Sequence, residues 1–419
     1  MKASSKTNKL KVALAWGPGE EEDVGFLAAN SSGQIAFEFN ANFLSAHKAQ
    51  ISPFKLEDKR GLQFARTERT VFEGLFGVFW DSLPDGWGIL LMERSLRCLG
   101  FAFETASPLD KLAWIGQRGL GALCYEPSIQ PNEGTDFNIS IAKFAEESAK
   151  VVEGHSTQML QKLVTLGGSP GGARPKICVA IEKHRIDDHI FCGKIISGVE
   201  DILPENFEHW IVKFRARDDS PEDSLAELVY SLTAKHVGIN VEPTALFEDE
   251  KGSIWFGMRR FDRDNAGKRL HMHSLAGLLH ANFRLPSLDY ESLLKATFVL
   301  TRSATEMEQA FRMAVFNGVF HNRDDHAKNF SFLMNHKFEW KIAPAYDLTW
   351  SHGMGGEHAT SYGGEGKNPA ARHYLKLAEN VGIAAKRAQE IIDEISEGKT
   401  FAKKMAKAWG LRKFVKKLD

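Results

Sequence analysis

The sequence predicts an α+β protein in which a β-rich first part is followed by a helical last part. Up to about Asp262, short apolar runs bounded by Gly, Pro, Asn or Asp predominate, which is typical of strands joined by turns. From Leu275 onward, apolar residues recur at helical spacing. The chain has 419 residues, which is enough for two domains or for one enzyme with two lobes.

The composition is that of an ordinary globular protein, with 43% hydrophobic and 26% charged residues. The formal net charge is -1, so bulk charge neither requires nor excludes a nucleic-acid partner. The four cysteines form neither a metal-binding spacing nor a disulfide framework, which favours a reducing cytosol. Because the first apolar run breaks at Gly17-Pro18, we expect no signal peptide and no membrane span.

The first elements are predicted to be a small β-meander of strands at 10–16, 25–28 and 34–39. Pro84-Asp85-Gly86 then forms a turn, since Pro presets φ and Gly accepts a positive one. A helix is expected over 89–99. On residue types alone, the segment 80–88 is best explained as a packing turn with two tryptophans. The linker candidate is 127–136 (PSIQPNEGTD).

A glycine-rich loop, 167–176, lies between a predicted helix at 144–164 and a predicted strand at 177–181. The loop lacks the G-x-x-x-x-G-K-[ST] pattern, so a Walker nucleotide fold is not supported. Glycine backbone can approach phosphates closely and offer N–H groups to them. Taken alone, the loop slightly favours a mobile surface segment, because such loops are common.

Two charged residues on predicted elements have competing explanations. Lys213 is the one lysine in the apolar strand 209–214 and could reach ATP phosphates, although a lone lysine on a half-buried strand more often faces solvent. Glu227 begins a helix and could pair with Lys213, but a solvated acid favoured by the helix dipole is at least as plausible. The strand 254–262 follows, where kinases connect their two lobes.

The helical part is predicted at 287–301, 306–321, 372–381 and 384–409. Between these helices, 330–334 and 338–342 are expected to form a hairpin that brings Asp347 back beside Asn329. The hairpin would gather Asp324, Asn329 and Asp347, the set that phosphoryl transfer to a hydroxyl needs. The six glycines within 351–367 predict a mobile segment after Asp347.

The order of these pieces carries more weight than any one of them. A glycine loop, a strand lysine, a helix glutamate, a hinge, Asp-x-His-x-x-Asn and a later Asp follow the plan of protein kinases. This order predicts a bilobed protein-kinase-like fold with an extra N-terminal subdomain and an all-α C-terminal lobe. We expect the boundaries 1–130, 131–265 and 266–419 for the subdomain and the two lobes.

The chain resembles the HipA family of bacterial serine/threonine kinases, the toxin half of type II toxin–antitoxin pairs. The resemblance is carried by motifs spread over nearly the whole chain: 83–88 (LPDGWG), 167–176, 211–213, 260–262 (RFD), 324–330 and 345–348. Three positions depart from the family pattern. Arg174 stands where the family loop often has Gln, Arg259 replaces a hinge acid, and Asp325 adjoins Asp324, so the choice between these two rests on the Asp-x-His spacing.

The resemblance implies a role for each matching residue. Asp324 is the catalytic carboxylate, Asn329 and Asp347 hold Mg²⁺, and Ser169 is the autophosphorylated serine whose phosphate would push the loop out and switch the enzyme off. The implied ATP-binding residues are Gly171, Gly172, Ala173, Arg174, Pro175, Lys176, Lys213, Arg259, Arg260, Phe261, His326, Ala327, Lys328, Asn329, Tyr346 and Asp347.

The resemblance also implies partners and a location in the bacterial cytoplasm. They are a helix-turn-helix antitoxin like HipB and a protein substrate, for which an aminoacyl-tRNA synthetase such as glutamyl-tRNA synthetase is the precedent. DNA would be contacted only through the antitoxin. The alternative is a DNA-associated scaffold that binds nucleotide without transferring phosphate, suggested by the basic tail at 403–417. A small-molecule or lipid kinase is a third possibility.

Overall fold

The structure is a computed structural model that describes residues 7–48, 50–100, 102–129, 139–167, 171–216, 219–220 and 222–417. The chain divides into two compact units. Unit 1 comprises 1–220 and 245–273, and unit 2 comprises 221–244 and 274–419. This division does not test the predicted boundary near residue 130, which stays a prediction.

Unit 1 begins with a five-stranded sheet. Its strands are β1 (Lys9–Gly17), β2 (Glu20–Ala29), β3 (Ile35–Phe39), β4 (Gln63–Phe64) and β5 (Leu123–Glu126). They lie in the order β4-β3-β2-β1-β5. The predicted meander is therefore present and antiparallel, with Leu10 opposite Leu27 and Leu27 opposite Phe37. These three side chains are buried, which anchors the sheet on one apolar face.

The second sheet of unit 1 has seven strands. They are β6 (Lys176–Glu182), β7 (Ile186–Asp187), β8 (Ile190–Phe191), β9 (Ile195–Ser197), β10 (Phe207–Lys213), β11 (Thr244–Glu248) and β12 (Ile254–Arg259). Their order in the sheet is β7-β8-β11-β12-β10-β6-β9. β10 lies centrally and pairs antiparallel with both β6 and β12. A further strand, β13 (His271–Ser274), follows.

The helices of unit 1 are α1 (Ala41–His47), α2 (Arg69–Phe72), α3 (Gly77–Trp80), α4 (Gly86–Cys98), α5 (Pro108–Ile115), α6 (Ile141–Val152) and α7 (Leu160–Gly167). The single helix expected over 144–164 is wrong, since α6 and α7 divide it. Gly154 lies just after α6 with φ +88, a left-handed conformation that favours glycine and ends helices.

Unit 2 is mainly helical. Its helices are α8 (Asp223–His236), α9 (Leu275–Leu279), α10 (Tyr290–Thr301), α11 (Ala304–Val319), α12 (Ala371–Asn380), α13 (Ala385–Ala408) and α14 (Arg412–Lys417). α11 starts at Ser303, whose side chain accepts from the Glu306 N–H, and it is buried along most of its length. Gly318 allows close packing, because a Cβ there would lie 2.3 Å from the Tyr374 hydroxyl.

Short strands interrupt the helices of unit 2. β14 (Leu288–Asp289) pairs with β17 (Thr360–Ser361), and β15 (Ser331–Met334) forms a hairpin with β16 (Trp340–Ile342). The hairpin is the one that the sequence predicts, with Phe332 opposite Ile342. Among the described helices, none combines the length and the apolar character that a membrane span requires.

Candidate functional site

Asp324 and Asn329 lie at the end of the path that begins with buried α11. The loop after α11 leads into a 3-10 turn over Ala327–Asn329. The Asn329 side-chain Nδ2 donates to the backbone carbonyl of Asp324 at 2.6 Å. This bond fixes the orientation of the amide and leaves its Oδ1 for another partner. The Asp324 side chain is 65% exposed, so its carboxylate is accessible.

Asp325, the neighbouring acid, has the opposite environment. Its side chain is fully buried. Its carboxylate accepts from the Tyr290 hydroxyl at 2.6 Å and lies 2.8 Å from His358 Nδ1. It also accepts from the backbone N–H groups of Ala359 and Thr360. Both oxygens of Asp325 are therefore occupied inside the protein, whereas the Asp324 carboxylate is exposed.

The second polar cluster, Tyr346-Asp347, returns to the first through the hairpin. The Tyr346 hydroxyl donates to the Lys328 carbonyl at 2.6 Å and lies 2.7 Å from Ser331 Oγ. These bonds tie the chain next to Asp347 to the chain next to Asn329. Asp347 has φ +54, a left-handed conformation that is costly for a residue with a side chain and is concentrated at functional sites.

His326 and Lys328 border this loop, on either side of Ala327, which is buried. The His326 ring packs against Phe283 with centroids 5.6 Å apart, and Lys328 Nζ lies 5.2 Å from the centroid of the same ring. Within the described residues, the buried Nδ1 of His326 has no hydrogen-bond partner. A buried polar atom without a partner is costly, so this nitrogen fits a site that a ligand completes.

The donor set suits Mg²⁺ that is held partly by a nucleotide. In the described part of the chain, no cluster of three or more His, Cys, Asp or Glu side chains is arranged to bind a metal ion. Mg²⁺ in phosphoryl-transfer sites uses one or two carboxylates, and phosphates and water supply the remaining ligands. The Asn329 Oδ1 and the Asp347 carboxylate match that requirement.

The glycine loop of unit 1 is held by the turn at 83–88. The Gly172 N–H donates to the Asp85 carboxylate at 3.4 Å, and the Trp87 N–H donates to the Gly172 carbonyl at 3.3 Å. The Trp87 indole N–H donates to the Lys176 carbonyl at 3.1 Å. The segment 83–88 therefore packs as expected, and what it packs against is the candidate phosphate loop. Gly86 does not take the positive φ that the predicted turn requires, because it is the first residue of α4.

Lys176 and Lys213 are opposite residues on adjacent antiparallel strands, so their side chains share one face of the sheet. Lys176 is 5% exposed, and its Nζ donates to the Gly171 carbonyl. Lys213 Nζ lies 5.6 Å from the centroid of the Phe256 ring. Like charges directly opposite each other are unfavourable, so this face suits an anion such as a phosphate.

The other predicted ATP contacts of unit 1 differ in their availability. Arg174 makes a bidentate pair with Asp219 at 2.8 and 3.0 Å, next to Ala173 and Pro175 of the loop. Arg259 lies 3.8 Å from Glu208, and Phe261 is half-buried after β12.

The Arg260 guanidinium is buried against Asp262. Burial alone would raise the pKa of Asp262, but Arg260 and Arg263 hold it well below its usual value. Only the backbone of Arg260 therefore remains for a nucleotide contact.

The roles predicted for two further residues, Glu227 and Ser169, stay predictions. Glu227 is buried in α8 of unit 2, and its pairing with Lys213 of unit 1 stays a prediction. Ser169 lies outside the described residues, as do Gly168 and most of the linker candidate at 127–136.

Ser52, His273 and Asp81 form a hydrogen-bonded chain of the residue types found in hydrolase triads. His273 Nε2 lies 3.0 Å from Ser52 Oγ, and its Nδ1 lies 2.6 Å from Asp81 Oδ2. Ser52 is 0% exposed, so no substrate can reach its hydroxyl. We therefore assign this chain to the core of unit 1 rather than to catalysis.

The segment 351–367, which the glycine content predicts to be mobile, is anchored by hydrogen bonds to other parts of unit 2. Arg323 donates to the carbonyls of His352 and Lys367 at 3.4 and 3.2 Å. Asp289 accepts from the N–H groups of Gly363 and Gly364. Sequence reasoning missed Arg323 because its partners lie 29 and 44 positions away. Glycine content alone gave no signal of these bonds.

Comparison with known proteins identifies two matching domain families. The HipA-like C-terminal domain matches residues 168–405, which is more than half of the chain, and the HipA N-terminal domain matches residues 19–126. A Haemophilus influenzae protein described as a candidate kinase is 27% identical over 129 residues. That match covers 27% of this chain and only 37% of the length of the relative.

Solved structures support the same fold. A chain of the Shewanella oneidensis MR-1 toxin–antitoxin complex of HipA, HipB and operator DNA superposes with a TM-score of 0.68 at 17% identity, covering 98% of this chain and 95% of that one. The Helicobacter pylori proinflammatory kinase CtkA gives a TM-score of 0.31 at 14% identity over 49% of this chain and 89% of its own, too low to support an argument. The predicted α+β class with β-rich and helical parts is confirmed.

Proposed function

Because the chain belongs to the HipA family, we propose that it is a serine/threonine protein kinase that uses ATP and Mg²⁺. One observation carries the proposal. Of two adjacent aspartates, Asp325 has a fully buried side chain, whereas the Asp324 side chain is exposed and the Asp324 backbone carbonyl accepts a hydrogen bond from the Asn329 side chain. This is the arrangement that a kinase catalytic loop needs, with a carboxylate for the nucleophile and an amide for the metal.

The proposed chemistry assigns one task to each residue. The Asp324 carboxylate would accept the hydrogen bond of the substrate hydroxyl and orient its oxygen. It would take the hydroxyl proton as the new bond between that oxygen and the γ-phosphorus of ATP forms and the bond from this phosphorus to the β–γ bridging oxygen breaks, which releases ADP. Asn329 Oδ1 and Asp347 would hold Mg²⁺, which when bound neutralises charge on the transferred phosphoryl group. Lys176 and Lys213 would bind the phosphates of ATP, with the N–H groups of the loop at 171–175 beside them.

The biological role is proposed from the family. We place the chain as the toxin of a type II pair in the bacterial cytoplasm, with a helix-turn-helix antitoxin like HipB as partner. The partner is supported by the HipA, HipB and operator DNA complex of the structural relative. The substrate proposed is a cytosolic protein, with aminoacyl-tRNA synthetases as the first class to test. Autophosphorylation at Ser169 would add negative charge beside the nucleotide and inactivate the enzyme.

The test is intact mass and phosphosite mapping of wild type and Asp324→Ala made in a bacterial host. We expect one added phosphate on Ser169 of the wild type and none on the variant. Full autophosphorylation of Asp324→Ala would overturn the catalytic assignment. No phosphate on either protein, with ATP still bound, would favour the alternative of a nucleotide-binding scaffold.

A further inference from the structure

The Asp325 carboxylate is the central acceptor of a buried network in unit 2. Its Oδ2 accepts a hydrogen bond from the Tyr290 hydroxyl at 2.6 Å and lies 2.8 Å from His358 Nδ1. Its Oδ1 accepts hydrogen bonds from the backbone N–H groups of Ala359 and Thr360 at 2.8 and 3.3 Å. Burial, followed by the charge of Asp325, raises the pKa of Tyr290 well above its usual value, so its hydroxyl stays a donor. Several donors to one carboxylate offset the cost of burying its charge.

Residues on both sides of Asp324 form hydrogen bonds to the segment 351–367. The Thr360 hydroxyl donates to the Asp325 carbonyl at 2.6 Å, and the Ala359 N–H donates to the Arg323 carbonyl at 3.3 Å. The Ser351 N–H donates to the His321 carbonyl at 3.0 Å. Together with the Arg323 side chain, these bonds attach the segment 351–367 to the loop that carries Asp324.

The segment 351–367 follows Asp347, the position at which many kinases carry a segment that phosphorylation must order. Its hydroxyl groups are already engaged. Ser351 Oγ accepts from the Gly353 N–H, Ser361 Oγ donates to Asp289, and the Tyr362 hydroxyl donates to the Ala314 carbonyl. Thr360 is 1% exposed. A phosphate on Thr360 would have no space and would repel the Asp325 carboxylate.

We propose that Asp325 is a positioning residue that fixes the catalytic loop against the segment 351–367, so that this segment needs no phosphorylation for activity. The proposal rests on the proposed kinase function. An internal carboxylate here makes the ordering contacts that a regulated kinase obtains from a phosphate. Asp325 does so without touching substrate, since its side chain is fully buried.

The first test replaces Asp325 by Asn, which keeps the size of the side chain but turns an N–H₂ group toward existing donors. We expect kcat for phosphotransfer to fall by about a hundredfold, as misplaced catalytic groups do, with the ATP Kd changed less than about threefold. Amide hydrogen exchange should rise at Ala359 and Thr360. The matched control is Asp289→Asn, which loosens 361–364 but leaves the Asp324 loop alone, and it should keep kcat within about threefold.

A second variant covers the case in which Asp325→Asn fails to fold. Arg323 is half-buried, so the variant Arg323→Gln should fold. It removes the hydrogen bonds to the His352 and Lys367 carbonyls, and we expect it to lower kcat by about tenfold and to raise amide hydrogen exchange at both ends of 351–367. An unchanged kcat in folded Asp325→Asn or Arg323→Gln protein whose exchange in 351–367 has risen would overturn the proposal. So would an unchanged exchange pattern in Asp325→Asn.

Whether phosphotransfer activity depends on a phosphate in the segment 351–367 distinguishes this proposal from the proposed kinase function. Phosphatase-treated wild type should keep its phosphotransfer activity, with no phosphate on residues 351–367 by mass spectrometry. Activity that needs a phosphate on Ser351, Thr360, Ser361 or Tyr362 would overturn the proposal. If the wild type transfers no phosphate at all, the proposed function fails, and hydrogen exchange then reports separately whether Asp325 holds the segment.

Discussion

At the scale of single residues, the two adjacent aspartates show how environment divides identical side chains. Asp324 and Asp325 cannot be distinguished by residue type, and the sequence separates them only through the spacing to His326. The structure distinguishes them by burial, with side chains 65% and 0% exposed. The donors to Asp325 come from 33 to 35 positions away, beyond the reach of any local pattern.

Lys213 gives the first prediction at this scale. Replacing Lys213 by Gln removes one of two cations that share a sheet face with Lys176, so ATP binding should weaken at least about tenfold, as for a lost hydrogen bond to a charged group. Isothermal titration calorimetry with ATP and Mg²⁺ checks this. Lys183→Gln is the control and should bind as wild type, since Lys183 lies just after the other end of β6, the strand that begins with Lys176. Equal affinities of Lys213→Gln and wild type would contradict the assignment.

His271 gives a prediction about pH. Burial, followed by the neighbouring His273, lowers the pKa of His271 to about 3 from 6.5. The unfolded chain therefore binds the proton first, and stability is lost as pH falls from 6.5 toward 3. Between pH 7 and 5 this residue should cost about 2 kcal/mol of unfolding free energy.

Urea denaturation followed by tryptophan fluorescence measures this cost. His271→Gln keeps a donor for the Ile51 carbonyl, which lies 2.9 Å from His271 Nε2, but it does not titrate. Its loss of stability between pH 7 and 5 should be smaller than that of wild type by about 2 kcal/mol. The same loss in both proteins would show that His271 does not contribute.

At the scale of elements, structure formed by residues close together in sequence could be predicted. The β15–β16 hairpin follows from two apolar runs and a polar turn, and it forms as expected. The contact between the turn at 83–88 and the glycine loop could not be predicted, because Asp85 and Gly172 are 87 positions apart. Residue types suggested packing at Trp87 but not its partner, the Lys176 carbonyl.

Gly86 tests the contact between these two elements. A Cβ at Gly86 would lie 2.7 Å from the Ala173 Cα, so Gly86→Ala must displace the loop at 171–174. We expect ATP affinity to fall several-fold while the melting temperature stays within a few degrees, since Ala favours the helix that starts there. Gly17→Ala is the control, because its Cβ would meet nothing within 4 Å. Unchanged ATP affinity in Gly86→Ala would show that the turn does not position the loop.

At the scale of the whole molecule, the order of motifs was the strongest sequence signal. The glycine loop, Lys213 and Glu227 each have a non-functional explanation when taken alone, and only the succession of motifs along the chain predicts a kinase-like plan. The α+β class was predicted separately, from short apolar runs up to about Asp262 and helical spacing from Leu275 onward. The anchoring of 351–367 could not be predicted in this way, since it depends on side chains such as Asp289 and Arg323 that bond to distant backbone.

DNA binding distinguishes the two proposed functions for the molecule as a whole. The formal net charge is -1, so little long-range attraction to DNA is expected despite the lysines of α13 and α14. One of them, Lys417, lies 3.9 Å from the centroid of the Trp350 ring. The chain alone should therefore bind DNA no more tightly than non-specific proteins do, with a Kd of about 10 μM or weaker at physiological salt.

Fluorescence anisotropy with duplex DNA over a salt series measures this, and a helix-turn-helix partner should lower the Kd by at least about a thousandfold on its operator. Submicromolar binding by the chain alone, with a steep salt dependence and no phosphotransfer, would instead support the scaffold. The basic tail would then be the DNA-binding element, and charge reversal at Lys413 and Lys416 should abolish that binding.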